Sequence, residues 1–261
     1  MQPTSFLGIY LAKDHAAAVC IEVAGHTRRL LGGFSVSVEQ AEQADPQELV
    51  QRIAASCAER QLKFNETAVA LDCTMFMQHS VHSEFSDFKK IAQTVRFDAE
   101  EALGTDATEV AIAFKIDTAD KPGSKEPAAG GSNLSVFTVA KKLLGEILAA
   151  LQANNLDPVS IEPDASCLAR FACQNISLPA EARPLFAFLS RRRGYLLTPL
   201  ASPWKAVSPT PAVAMRTFLL SEQNRTDLLA RQVSMTIPLL QDSGPVNRVE
   251  VFDTEILQQG N

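Results

Sequence analysis

Residues 6–38, FLGIYLAKDHAAAVCIEVAGHTRRLLGGFSVSV, constrain the fold more than any other stretch of the chain. Three apolar and β-branched runs are broken there by short polar turns, so the segment reads as strand, turn, strand, turn, strand. Strands and helices then alternate. Asp45-Pro46-x-Glu48 is a helix opening: Asp45 can cap, Pro46 suits the first helical position and Glu48 can reach back as in a capping box. Leu49, Val50, Ile53 and Cys57 follow on one face at helical spacing.

The alternation continues to the end of the chain. A strand is expected at Ala68–Leu71 and an extended stretch at Thr74–Val81. A helix runs from about Asp87 to Leu103, with Phe88, Ile91, Val95, Ala99 and Ala102 as its apolar stripe and Gly104 as a left-handed cap. Val110–Ile116 reads as a strand, and Lys121–Ser132 as a mobile Gly-, Pro- and Lys-rich loop. A strand at Leu134–Ala140 feeds a helix from Lys141 to about Asn154, with Leu144, Ile147, Leu148 and Leu151 inward and Asn154-Asn155 as its stop. Val159–Ile161 is a short strand, and Asp164 caps a helix carrying Leu168 and Phe171. Past a boundary near Ser177–Pro184, Leu185–Leu189 and Tyr195–Leu197 form a hairpin turning at Arg191-Arg192-Arg193-Gly194. Pro199–Pro211 is irregular, Val213–Leu220 is a strand, Thr226–Ile237 is a helix whose end Pro238 leaves open, and Arg248–Phe252 is the last strand. Strands interleaved with helices define an α/β fold.

Composition narrows the function. A chain of 261 residues with 46% hydrophobic and 21% charged residues can build a substantial core. A net charge of −6 argues against a nucleic-acid binder, which would be basic. No apolar run approaches the roughly 18 residues of a membrane span, and the N-terminus has no secretory pattern, so a cytosolic protein is expected. Cys20, Cys57, Cys73, Cys167 and Cys173 lack metal-ligand spacing and suit reduced, buried thiols. In that compartment the Asn-x-Ser/Thr triplets at Asn65, Asn175 and Asn224 carry no glycan.

The order of elements resembles the PilM family, the actin-like proteins of type IV pilus assembly. Phe88–Leu103 (FKKIAQTVRFDAEEAL) is similar to that family's helix with an Arg-Phe-x-Ala-Glu core. Val136–Arg170 is similar to its run of strand, helix, Leu-x-Pro turn, strand and Ala-rich helix, carried by Asn155-Leu156-Asp157-Pro158 and Pro163–Arg170. The resemblance spans about two thirds of the chain, and order and spacing carry it more than any one motif. It implies an actin-like ATPase (RNase H-like) α/β fold with two subdomains and an inserted small α/β subdomain. Residues 1–178 would be the N-terminal half, with the insertion at about 68–140, and 179–261 a partial second half.

Three nucleotide elements would follow from the resemblance, and all depart. The first phosphate loop should carry an Asp, a Gly and small hydroxyls, but Tyr10, Leu11, Ala12, Lys13, Asp14 and His15 stand there. The second should bring an Asp-x-Gly hairpin, where Phe186-Ala187-Phe188-Leu189 leads into Ser190-Arg191-Arg192-Arg193-Gly194. The third, a Gly-rich turn, should follow Val249–Phe252, and the sequence runs to Gly260-Asn261 without one. Carboxylates would hold Mg²⁺ and Gly-rich amides would cradle phosphate, whereas bulky side chains obstruct both. No cofactor, no metal and no catalysis are expected.

Other conspicuous residues read first as structure. The Arg191–Arg193 triplet is a solvated hairpin tip, with phosphate or carboxylate binding as the alternative. His79-x-x-His82 on an extended segment sends its two rings to opposite faces. No histidine has the sequence neighbours of a Ser-His-Asp or Cys-His system. Phe76, Phe85, Phe88 and Trp204 are the candidate partner-binding residues, with core packing as the competing role. In the family the region around the first three receives a short N-terminal peptide from a membrane partner.

The resemblance therefore implies a non-catalytic scaffold of a type IV pilus or type II-like secretion assembly. It would sit at the inner face of the cytoplasmic membrane without spanning it and hold a short cytosolic peptide of an inner-membrane protein. Two alternatives stand beside it. One is a nucleotide-binding switch in which Lys13 and the arginines contact phosphate; the other is the cytoplasmic domain of a type II secretion L-type component.

Overall fold

The computed structural model describes residues 3–38, 45–104, 106–116, 131–176, 179, 182–190, 193–199, 213–220, 224–243 and 245–253. Trp204, Arg191, Arg192 and nearly all of the Lys121–Ser132 segment lie outside them. The chain forms two compact units, Met1–Val81 with Ala92–Phe114 and Val136–Asp164, and His82–Ile91 with Lys115–Ser135 and Ala165–Asn261.

The first unit is built on the expected strand triplet, β1 (Thr4–Leu11), β2 (His15–Ala24) and β3 (Thr27–Ser37). Helix α1 (Pro46–Glu59) leads to β4 (Glu66–Leu71), and helix α3 (Lys141–Ala153) leads to β8 (Pro158–Pro163). The sheet order is β3-β2-β1-β4-β8, antiparallel across β3, β2 and β1 and parallel from β1 through β4 to β8. Alternation along β1 buries Leu7, Ile9 and Leu11, which meet the buried Leu71 and Val69 of β4 on one face.

Helix α1 opens as its sequence indicates. Asp45 Oδ1 accepts from the Gln47 amide at 2.9 Å, with Pro46 at the first position. Glu48 does not close a capping box: its carboxylate turns along the helix to Arg52 at 2.6 Å. The buried face is Leu49, Val50, Ile53 and Cys57, each large apolar side chain contributing about 1.5–3 kcal/mol. Helix α3 stops where Asn155 takes φ 56°, a left-handed turn.

Between β4 and α3 lie β5 (Met77–Ser83), α2 (Phe88–Leu103), a 3₁₀ turn at Ala107–Glu109, β6 (Val110–Ile116) and β7 (Ser132–Ala140). The three strands form their own sheet, ordered β5-β7-β6. On α2 the buried residues are Ile91, Val95, Ala99 and Leu103, and Gly104 closes the helix at φ 60°. Leu103 thus takes the place expected of Ala102, and Phe88, the helix's first residue, is exposed.

The second unit holds helix α4 (Asp164–Asn175), then β9 (Pro184–Leu189), β10 (Arg193–Pro199), β11 (Val213–Leu219), α5 (Arg225–Thr236) and β12 (Arg248–Asp253). Its sheet order is β11-β10-β9-β12, again with two antiparallel steps and one parallel step. Leu185, Ala187, Leu189, Leu196, Phe218 and Leu220 form its core against Leu228, Leu229, Val233 and Ile237. Helix α4 buries Ala165, Ala169 and Ala172, and Phe171, one of the two large apolar residues it carries, is 48% exposed. Phe171 meets Phe252 edge-on at 6.2 Å. Pro238 does not end the helical course, which continues as a 3₁₀ segment, Ile237–Ser243.

Candidate functional site

Ligands of open α/β sheets gather at the carboxyl ends of parallel strands. In the first unit that place is where β1 and β4 end. The β1–β2 connection is a two-residue hairpin, Lys13-Asp14, closed by Ala12 N donating to His15 O at 2.9 Å. Asp14 O accepts from Val38 N at 3.0 Å, and the Asp14 carboxylate meets His15 Nδ1 at 2.9 Å. The His15 ring leans on Tyr10 with centroids 5.4 Å apart.

Beside this hairpin, directly after β4, stands Asp72, only 1% exposed. Its amide donates to Leu11 O at 2.9 Å, which ties the end of β4 to the end of β1. Tyr10 OH donates to Oδ2 at 2.5 Å. Thr74 donates to Oδ1 twice, from its amide at 2.9 Å and from its hydroxyl at 2.5 Å. A carboxylate offers about four lone-pair sites, and at least three are committed to the protein. That is a folded-in anchor for the turn after β4, and little of it remains for a metal ion or a water.

The second unit repeats the geometry. Across the β9–β10 connection Ser190 N and Oγ donate to Arg193 O at 2.8 and 3.1 Å. Leu11 pairs with Ala16 across the first hairpin and Leu189 with Gly194 across the second, so the two match residue for residue. Asp253 ends β12 opposite Leu189, the place that Leu71 takes opposite Leu11, so it stands one residue earlier than Asp72 does in the first unit. Here the partner is a cation. Arg225 grips Asp253 through Nε at 3.0 Å and Nη2 at 2.9 Å, and Nη2 also donates to Ser190 O at 2.8 Å. The guanidinium thereby clamps strand end, hairpin and helix α5 together. Gly194 serves packing: a Cβ there would lie 2.2 Å from Phe218 Cζ.

Asp72, Arg225 and Asp253 were not singled out by the sequence reading. A usable signal existed, because the strand residues AVAL run straight into Asp72 and the strand RVEVFD ends in Asp253. Of the candidate partner residues, Phe76 is 8% exposed and packs edge-on against Phe137 at 5.9 Å. Phe85 is half-buried with Lys90 Nζ 5.7 Å above its ring, and Phe88 is 60% exposed. Trp204 is outside the described residues. His82 Nδ1 lies 3.1 Å from Asn133 Oδ1, and among the described residues no three His, Cys, Asp or Glu are grouped to hold a metal ion. Cys20 and Cys57 are buried free thiols, both pushed up in pKa by burial. Among the described residues no helix is long and apolar enough to cross a membrane.

No family model matches the sequence, and no curated protein matches it either. Solved structures do. A chain of a PilM–PilN type IV pilus biogenesis complex is 16% identical with a TM-score of 0.73, over 97% of this chain and 82% of that one. The cytoplasmic domain of EpsL, an inner membrane component of the type II secretion system of Vibrio cholerae, is 15% identical with a TM-score of 0.58, over 96% and 82%. A protein from Bacteroides thetaiotaomicron with an actin-like ATPase fold and unknown function is 10% identical with a TM-score of 0.55, over 98% and 86%. The chain has the actin-like ATPase fold, as its sequence indicated. Within that fold its likeness is to the components of pilus and type II secretion machines, PilM-like in form.

Proposed function

We propose that this chain is a non-catalytic actin-like scaffold of a type IV pilus or type II-like secretion assembly. One observation carries the reading. At both phosphate-loop positions a backbone hydrogen bond draws the flanking strands together, Ala12 N to His15 O and Ser190 N to Arg193 O, and the carboxylates beside them are already hydrogen-bonded within the protein. A Mg²⁺-nucleotide would have to break the Tyr10–Asp72–Thr74 set or the Arg225–Asp253 pair before gaining a ligand. The two matching sheets support reading residues 1–178, with an insertion at about 68–140, and 179–261 as two actin-like halves.

The scaffold works at the inner face of the cytoplasmic membrane and holds a short cytosolic tail of an inner-membrane protein. The likeness to a chain of a PilM–PilN type IV pilus biogenesis complex supports that class of partner. Exposed Phe88 and half-buried Phe85 offer apolar surface for such a tail, by strand addition or by a pocketed side chain. Synthetic peptides covering the cytosolic tails of the pilus and secretion inner-membrane proteins of the same organism provide the test, titrated by fluorescence anisotropy. Saturable binding weakened by Phe88→Ala is expected; no binding by any tail would sink the proposal.

A further inference from the structure

A polar hollow of about 560 Å³ lies at the amino end of β4, the opposite end of that strand from Asp72 and the closed hairpin. It is lined by Phe64, Asn65, Thr67, Gln152, Asn155 and Asp157, all within the first unit. The backbone is irregular beside it. The β4–β8 register shifts between Thr67 and Ala68, where Thr67 stands opposite Pro158, and proline has no N–H to continue the ladder. Helix α3 delivers Gln152 in its last turn, and Asn155 follows in left-handed geometry. Asn65 is fixed by two bonds to Ser5: its Oδ1 accepts from Ser5 N at 2.9 Å and its amide donates to Ser5 O at 2.8 Å.

The hollow is rich in acceptors. Gln152 Nε2 donates to Asp157 Oδ1 at 3.2 Å, which leaves Gln152 Oε1 and Asp157 Oδ2 without a partner among the described residues. Thr67 lines the hollow and is only 3% exposed, yet its hydroxyl has no hydrogen-bond partner among the described residues. A buried hydroxyl left unpaired costs free energy that a ligand can recover. Asp157 is the only charged residue of the lining, and the carboxyl end of α3 adds the negative pole of its dipole. Anions are therefore disfavoured, and a cation with several N–H groups is favoured. Phe64 supplies an aromatic face for a flat cation. We infer that this hollow binds a guanidinium group, with its N–H fork on Asp157, Gln152 and Thr67 and its plane against Phe64. A guanidinium offers five donors in one plane and stacks on a ring, whereas an ammonium is a compact point charge with three. The site is independent of the hairpins and of the surface at Phe85 and Phe88.

NMR titration of the isotope-labelled full chain tests this, with ethylguanidinium and N-acetyl-arginine N-methylamide as ligands. Ethylurea and the citrulline counterpart of the second compound, alike in size but neutral, are the controls. Saturable shifts centred on Asn65, Gln152, Asn155 and Asp157 are expected with both guanidinium compounds and with neither control. Tighter binding of the arginine amide would mark an arginine of a protein chain as the ligand, and tighter binding of ethylguanidinium a free small molecule; either supports the site. Asp157→Asn, which keeps an acceptor for Gln152, should weaken binding about tenfold or more. Thr67→Val, close in shape, should weaken it about threefold. Melting curves verify that each variant folds, and Asp157, being exposed, leaves at least that variant intact. The proposal is overturned if no saturable shift appears, if the neutral compounds bind as well, if the shifts centre elsewhere, or if Asp157→Asn binds as tightly as the parent.

Discussion

The β1–β2 and β9–β10 hairpins occupy matching places in two matching sheets, and each is closed by a different chemistry. At the first, Asp72 is buried and satisfied by hydroxyls and an amide, from Tyr10 and Thr74. At the second, Asp253 is satisfied by a guanidinium that reaches across from α5. The first arrangement is local, made by residues on β1 and in the turn after β4. The second ties three elements together through one side chain. The contrast shows that two sheets with the same order of antiparallel and parallel steps can satisfy their strand-end carboxylates by different chemistry.

The largest effect is expected where a charge would be left alone. Arg225→Ala strands Asp253 in a site where the pair is 18% and 11% exposed, and equilibrium denaturation should show a loss of about 3 kcal/mol. Adding Asp253→Ala should recover part of that loss, since the orphaned charge is then gone. Asp72→Ala should cost somewhat less, about 2–3 kcal/mol, because the groups left unpaired are neutral donors. If Asp72→Ala proved the costlier of the two, the contrast between a local and a cross-linking anchor would be wrong.

Gly194→Ala separates the hairpins in another way. Ala16 stands in the corresponding place of the first hairpin, but a Cβ at Gly194 would press into the Phe218 ring, so a loss of about 1–3 kcal/mol is expected. Pairing it with Phe218→Ala should remove the additional penalty, as read from the double-mutant cycle.

The smallest effect concerns an exposed reference carboxylate. The Thr108 amide and then the Thr108 hydroxyl hold the Asp106 carboxyl below its ordinary pKa, with Lys141 and Arg96 adding to the fall. A depressed folded pKa means that Asp106 stabilises its turn above the unfolded value, and that this is lost as pH falls through the folded one. A carboxyl NMR titration should find the depressed midpoint, and it should move back toward the ordinary range in Thr108→Ala. Being fully solvated, Asp106 should add little to global stability, in contrast to Asp72.

Much of the fold was legible because local chemistry and global architecture agree. Asp45-Pro46 opens α1, its four buried residues fall on the expected stripe, and Gly104 and Asn155 take left-handed φ where helices were expected to stop. The reading erred on α2, where Leu103 takes the buried place expected of Ala102 and Phe88 lies exposed, because what the fold covers, and not hydrophobicity alone, sets the buried stripe. The closed hairpins were legible as departures from a phosphate loop. What closes them was not, since Tyr10 and Asp72 are 62 residues apart and Arg225 and Asp253 are 28 apart, and no sequence spacing signals such pairs.

Calorimetric titration of the folded chain with ATP and Mg²⁺ bears most directly on the central claim that both hairpins are closed to nucleotide. A flat titration is expected, with a melting temperature unchanged by the same ligand. Saturable, Mg²⁺-dependent heat would contradict the account, because it would require Asp72 or Asp253 to give up the partners that hold it.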